Sequence, residues 1–424
     1  MGNTPLAWAA KNGHSEVVKL LLGRDDIDPN QENESGQTSL FLAACNGHDG
    51  VVKILLGRDD IDSDKPDNEG RTPLLGASFN GHEGVMRMLL GRDDINPEES
   101  DYYGRTPLYF AARNGHEGAV GMLLAQDDIY PDTPDGNGET PLHCAARNGH
   151  GGVVEMLLAR DDVDPDTPDK YRQTPLYFAA GTVHRGVVEM LLGRDDVDLN
   201  TQNDNGETPL HCAVRYGHEG VLEMLLAQDG IDPDKPNNVG QSPLCCAVTY
   251  WNEGAVNMLL GRNDVDPNKP DHQGQTALLL AIEAGFEGMA RILLGWDNID
   301  PNKADNKGQT PLLLAAGYGE EELVNMLLER DDIDPDISDM DDQTPLYRAA
   351  LHGHKDVVGI LLSWDEVNPD NPNKCRQTAL SLAIRNGDTH VISLLQPPTA
   401  AAPNPYQARG ASLSLPLSNA LLPT

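Results

Sequence analysis

The stretch TPLHCAARNGHGGVVEMLL, Thr140–Leu158, decides the fold. It opens on Thr-Pro, runs through small and apolar residues to Gly-His, and continues into a second apolar run. The unit that begins at Thr106, TPLYFAARNGHEGAVGMLLAQDDIYPDTPDGNGE, shows the same grammar at full length. Thr106 is a helix N-cap type, and Pro107 takes the first helical position, where a missing N–H costs nothing. Ala111 and Ala112 are small enough to let a neighbouring helix approach. Gly115 can adopt the left-handed conformation that ends a helix. Glu117 suits the start of a second helix, and Ala119, Val120, Leu123 and Leu124 mark its buried face. An acidic connector then leads to the turn signal Asp-Gly-Asn-Gly and the next Thr-Pro-Leu.

Thr-Pro-Leu or a close variant starts at Thr4, Thr38, Thr72, Thr106, Thr140, Thr174, Thr208, Ser242, Thr276, Thr310, Thr344 and Thr378, every interval being 34 residues. Twelve units therefore follow one another without insertion or deletion. No unit can bury its apolar face alone, whereas stacked neighbours can, which predicts a solenoid. The period by itself is shared with tetratricopeptide repeats.

The residues distinguish the two. Thr140–Leu158 and Thr208–Leu226 resemble ankyrin repeats, with the Thr-Pro-Leu-His-x-Ala signature and the Gly-His turn. Tetratricopeptide markers do not occur in register. The resemblance covers residues 1–396 and implies an all-α fold, an ankyrin-repeat α-solenoid of twelve helix-turn-helix units with short β-turn or hairpin connectors. The units are one residue longer than the ankyrin norm of about 33. The extra residue lies in the connector, as in Arg-Asp-Asp-Ile-Asp-Pro-Asp at Arg330. Near-identical units with Asp-Val-Asp-Pro connectors are similar to ankyrin arrays of filamentous fungi. Such arrays often trail a nucleotide-binding signalling domain, so the resemblance also implies an alternative reading, the C-terminal sensing part of a larger signalling protein. Residues 397–424 break the pattern, with six prolines and no acid, and are expected to form a disordered tail.

The chain carries 31 basic and 67 acidic residues, a formal charge of −36. Such a field repels nucleic acid and anionic membranes and favours a partner with a basic surface. The cysteines Cys45, Cys144, Cys212, Cys245, Cys246 and Cys375 include no C-x-x-C pair and read as free thiols of a reducing compartment, the cytoplasm or nucleus. No apolar run approaches the roughly 18 residues of a membrane span. A monomer is expected.

The acidic connectors invite a calcium reading, which gives a rival function of another class, a weak cation-binding protein. Asp60-x-Asp62-x-Asp64 has the spacing of an EF-hand loop. Lys65 and Arg71 nevertheless stand where that loop needs Gly and Glu. Prolines such as Pro29, Pro165 and Pro335 hold the connector extended, where a chelating loop must curl. The eight register histidines, His14, His48, His82, His116, His150, His184, His218 and His354, are spaced by whole repeats and cannot converge on one ion. They read as helix-start residues, and His143 and His211 as part of the framework. No zincin, P-loop, nucleophile-elbow or kinase motif is present, so neither catalysis nor a cofactor is expected.

The residues that vary between units remain. Turn tips carry Tyr102, Tyr103, Arg105, Tyr171 and Arg172. First helices carry Tyr109, Arg113, Tyr177, Arg215, Tyr216 and Tyr347. Unit 8 replaces Gly-His with Trp251-Asn252 beside Tyr250. Tyr, Trp and Arg carry interface energy, and ankyrin partners usually dock on tips and inner helices. The expected function is non-catalytic protein binding by a scaffold.

Overall fold

Each repeat follows the sequence grammar. The computed structural model describes residues 2–396, and the expected tail at 397–424 lies outside them. Twenty-four helices and no strand occur among the described residues. The repeat beginning at Thr106 supplies helices Pro107–Arg113 and Glu117–Leu124. The Tyr109 N–H donates to Thr106 Oγ1 at 3.2 Å, and Pro107 follows the cap. Every first helix carries such a Thr or Ser cap, from Thr4 to Thr378. Each cap contributes about 1 kcal/mol. Helices of six to eight residues are still too short to stand alone. They persist because, within each compact unit, first helices pack on first helices and second helices on second helices of the next repeat.

The chain divides into two compact units, Met1–Asn238 and Val239–Thr424. In the first, Leu74, Leu108 and Leu142 of the Thr-Pro-Leu triplets are fully buried, as are Ala111, Ala112, Ala145 and Ala146. In the second, Leu278, Leu312 and Leu346, with Ala315 and Ala349, do the same.

Six of the register histidines, His48, His82, His116, His150, His218 and His354, hold their repeat to the one before. They sit at the start of the second helices, yet their rings do not cap those helices. His116 Nε2 instead meets the carbonyl of Phe79, and His150 Nε2 that of Arg113 at 3.0 Å. His354 Nε2 meets Gly317 O in the second unit. The ring lies against the glycine that ends the previous repeat's first helix. Gly115 has φ +73°, and a Cβ on it would stand 2.5 Å from His150 Nδ1. Both the backbone conformation and the close approach demand glycine.

The connectors are turns. Arg58 grips Asp60 through Nε and Nη2, and its Nη1 donates to Leu22 O, at the end of the previous second helix. Arg92, Arg160, Arg194 and Arg330 repeat this arrangement. An exposed ion pair contributes little. The third bond satisfies a helix-end carbonyl that would otherwise lack a partner. The connectors' aliphatic residues Ile61, Ile129, Val163, Ile231, Val265, Ile299 and Val367 are buried.

Gly115→Ala should lower the unfolding free energy by about 1–3 kcal/mol in urea denaturation. Gly186→Ala, in helix Arg185–Leu192 with nothing within 4 Å of its Cβ position, should raise it by about 0.5–1 kcal/mol.

Candidate functional site

The turn tips and first helices place the varying side chains in two different environments. Tyr102 and Tyr103 are exposed at a tip, Tyr102 by 75%. Tyr171 and Tyr216 are exposed as well. Tyr216 stacks on the imidazole of His218, and Lys170 lies over the ring of Tyr171. Arg172 is exposed with φ 62°, at the tip position that Gly104 and Gly138 occupy in their repeats.

Tyr109 and Tyr177 were expected on this surface, and the structure puts them inside instead, 4% and 7% exposed. The third residue after the capping Thr points into the gap between repeats. His143 and His211 fill that gap elsewhere, their Nδ1 atoms bonded to Thr140 and Thr208. The Tyr177 hydroxyl donates to Glu207 Oε2 at 3.1 Å, and Tyr109 packs with Leu75, Phe110 and Cys144. Tyr347 is buried too. Arg215 is half-buried and pairs with Glu207.

Tyr250 and Trp251 belong to the second unit and are exposed. Trp251 has φ 61°, the conformation of the glycine it replaces. Its ring centroid lies 4.1 Å from that of Phe286, which stands where other repeats have His. An aromatic pair has thus replaced a Gly–His pair, and Asn252 caps its helix through Ala255 N–H. The departure of unit 8 from the pattern is therefore partly a packing solution.

The first unit contains a groove of about 530 Å³ formed by the first helices and turn tips of repeats 1 to 4. Phe41, Phe79 and Phe110 line its apolar part, and Phe79 is 45% exposed. Lys11, Arg71, Arg105 and Arg113 are its charged residues, and no carboxylate lines it. Asp67 and Asp101 hold Arg71 and Arg105 from behind, at 2.6 and 2.5 Å. The guanidinium of Arg105 lies 4.8 Å from the centroids of both Tyr103 and Phe110. Phe79 meets Phe110 edge to face at 5.4 Å.

Sequence reasoning found Arg105 and Arg113 but missed Lys11, Phe41, Arg71, Phe79 and Phe110. Two columns of the repeat carried the signal. The residue before the capping Thr is Arg71 and Arg105 here but Glu139 and Glu207 later, where the glutamates pair with Arg147 and Arg215. The seventh residue after it is Lys11, Phe79 and Arg113 here.

Arginine pairing occupies Asp60, Asp94 and Asp162 of the connectors and depresses their carboxyls. No three His, Cys, Asp or Glu side chains converge to hold a metal ion among the described residues. None of the helices there is long and apolar enough to cross a membrane.

The family model for ankyrin repeats (three copies) matches residues 1–67, 59–135, 127–203, 162–237, 185–271, 247–339 and 333–406. The chain belongs to the ankyrin repeat family. A search of curated proteins found no match. Among solved structures, the human ASB11 ankyrin repeat domain is similar, at 25% identity and a TM-score of 0.48, over 54% of this chain and 100% of that one.

Burial pushes the thiols of Cys45 and Cys212 up to about 12 and that of Cys144 up to about 11. Cys375 is exposed. A maleimide followed by mass spectrometry should label Cys375 first and reach Cys144 and Cys212 only after urea unfolds the chain.

Proposed function

We propose that this chain is a non-catalytic protein-binding scaffold, with the first unit's inner helices and turn tips as its docking face. One observation carries the reading. The groove of repeats 1 to 4 joins an exposed phenylalanine to arginines held over aromatic rings, beside the exposed Tyr102 and Tyr103. Aromatic and arginine side chains of this kind supply most of the energy of protein interfaces. The groups are also held in place before binding. Arg105 is fixed by Asp101 and two rings, so little rotamer freedom is lost when a partner arrives.

The partner is another protein, bound by a monomer of this chain. The charge of −36 opposes nucleic acid, and at long range it favours a partner with a basic surface. The free thiols fit a reducing compartment, cytoplasmic or nuclear.

Affinity capture from the native lysate tests the reading. The wild-type chain is compared with a Phe79→Ala, Tyr103→Ala, Arg113→Ala variant. A specific protein recovered by the wild type should be reduced by about tenfold or more with the variant. Equal recovery would place the docking face elsewhere.

A further inference from the structure

Resting on the protein-binding reading, we infer that the groove of repeats 1 to 4 takes an acidic segment bearing apolar side chains. Net charge alone points the other way. Yet the groove is lined by four cations and no carboxylate, in a chain with 67 acidic residues against 31 basic ones. Charges beyond about 8 Å are screened at physiological ionic strength, so the local lining decides the final contact. Asp67 and Asp101 already balance Arg71 and Arg105. Lys11 and Arg113 are exposed, and neither joins the ion pairs of the neighbouring repeats. They are the two positive charges left for a ligand. Between them, Phe79 offers an open ring to an aliphatic or aromatic side chain. A basic segment would meet two unpaired like charges there.

A random dodecapeptide display selected on the full chain tests this. Enriched peptides should combine Asp or Glu with Leu, Phe or Trp. A labelled enriched peptide should bind the Lys11→Glu, Arg113→Glu variant about tenfold more weakly or worse. Both positions are exposed, and unchanged circular dichroism would show the variant folded. Enrichment of Lys- and Arg-rich peptides, or equal binding to the variant, overturns the inference while leaving protein binding itself standing. Loss of the lysate partner by the variant tested above, together with basic peptides here, would keep the face and reject this chemistry.

An independent observation concerns the connectors. The fourth residue before each connector's turn forms a ladder from repeat to repeat. Where it is Asn, both halves of the amide are used. Asn30 Oδ1 accepts the Asp62 N–H and its Nδ2 donates to Asp60 O. Asn200, Asn268 and Asn302 do the same. Where it is Asp, only half is used. Asp64, Asp132, Asp166 and Asp336 accept the next connector's N–H through Oδ2. Their Oδ1 atoms, in the place of the amide donor, are buried with no partner. Glu98 replaces both amide functions differently, with its two oxygens accepting from Tyr130 N–H and the Thr133 hydroxyl.

The geometry points to a stored proton: Asp64, Asp132, Asp166 and Asp336 close their ladder steps as carboxylic acids, whose O–H replaces the amide donor. The charged groups that act on them are carboxylates: Asp62, Asp94 and Glu99 on Asp64; Asp162 and Asp164 on Asp132; Asp164, Asp196 and Asp198 on Asp166; Asp334 on Asp336. Of these, Asp94, Asp162 and Asp196 are themselves paired with Arg92, Arg160 and Arg194. Burial, with this repulsion, pushes Asp132 and Asp166 up to about 6 and raises Asp64 and Asp336. A carboxyl raised in the folded chain contributes stability that is present at low pH and lost as pH rises through its folded value. The ladder should therefore tighten as pH falls from about 7 to about 5. The arginine-paired aspartates, whose carboxyls are depressed, lose their contribution only below the ordinary carboxylate range of about 4.

Thermal unfolding across this range should show Tm rising by several degrees as pH falls. The Asp64→Asn, Asp132→Asn, Asp166→Asn, Asp336→Asn variant should have a flatter profile and a higher Tm at neutral pH. An infrared carbonyl band of protonated carboxyl near pH 6, absent from the variant, would report the proton directly. A wild-type Tm that does not rise on acidification, or an unchanged slope in the variant, overturns the proposal.

Discussion

The bond on which the repeats of the first unit chiefly depend runs from one imidazole to the carbonyl end of the preceding repeat's first helix. His116 reaches Phe79 O and His150 reaches Arg113 O, each ring resting on a glycine held at positive φ. Three constraints meet in this contact. The glycine must lack a side chain, the first helix must end there, and the next repeat must stand one helix diameter away. Short helices gain their stability only from neighbours. Fixing that spacing therefore fixes the fold.

The same spacing generates the candidate docking face. The third residue after the cap falls between repeats, so a large side chain there becomes core. The residue before the cap and the seventh after it fall on the accessible side. Exchanging Arg71 and Arg105 for Glu139 and Glu207 turns an open cationic groove into closed ion pairs with Arg147 and Arg215. Small changes in two columns therefore alter what one framework displays.

Much of this was legible in the sequence. Thr-Pro-Leu announced the caps, Gly-His the helix ends, and the fixed interval the stacking. The surface was less legible because a repeat pattern marks variable positions without giving their direction. Tyr109 and Tyr177 vary and are large, yet they point inward, where His143 and His211 show that a polar ring can be accommodated. Nothing in the local sequence marks Phe79 as an exposed phenylalanine. Trp251 looked like a surface device, although its partner Phe286 lies in the following repeat and explains much of it. The connector aspartates all looked alike in sequence. Only the amide positions beside them show which carry an orphaned oxygen.

The Trp251–Phe286 pair bears on how such an array can be rearranged. Units of equal length and near-equal sequence are natural substrates for unequal crossing-over, and most junctions join any glycine to any histidine. The junction between repeats 8 and 9 does not. A unit ending in Trp251 set before a histidine-bearing unit would lose its aromatic contact and drive an indole into imidazole space. The two repeats fit each other as a couple, and an array that separated them would lose this contact.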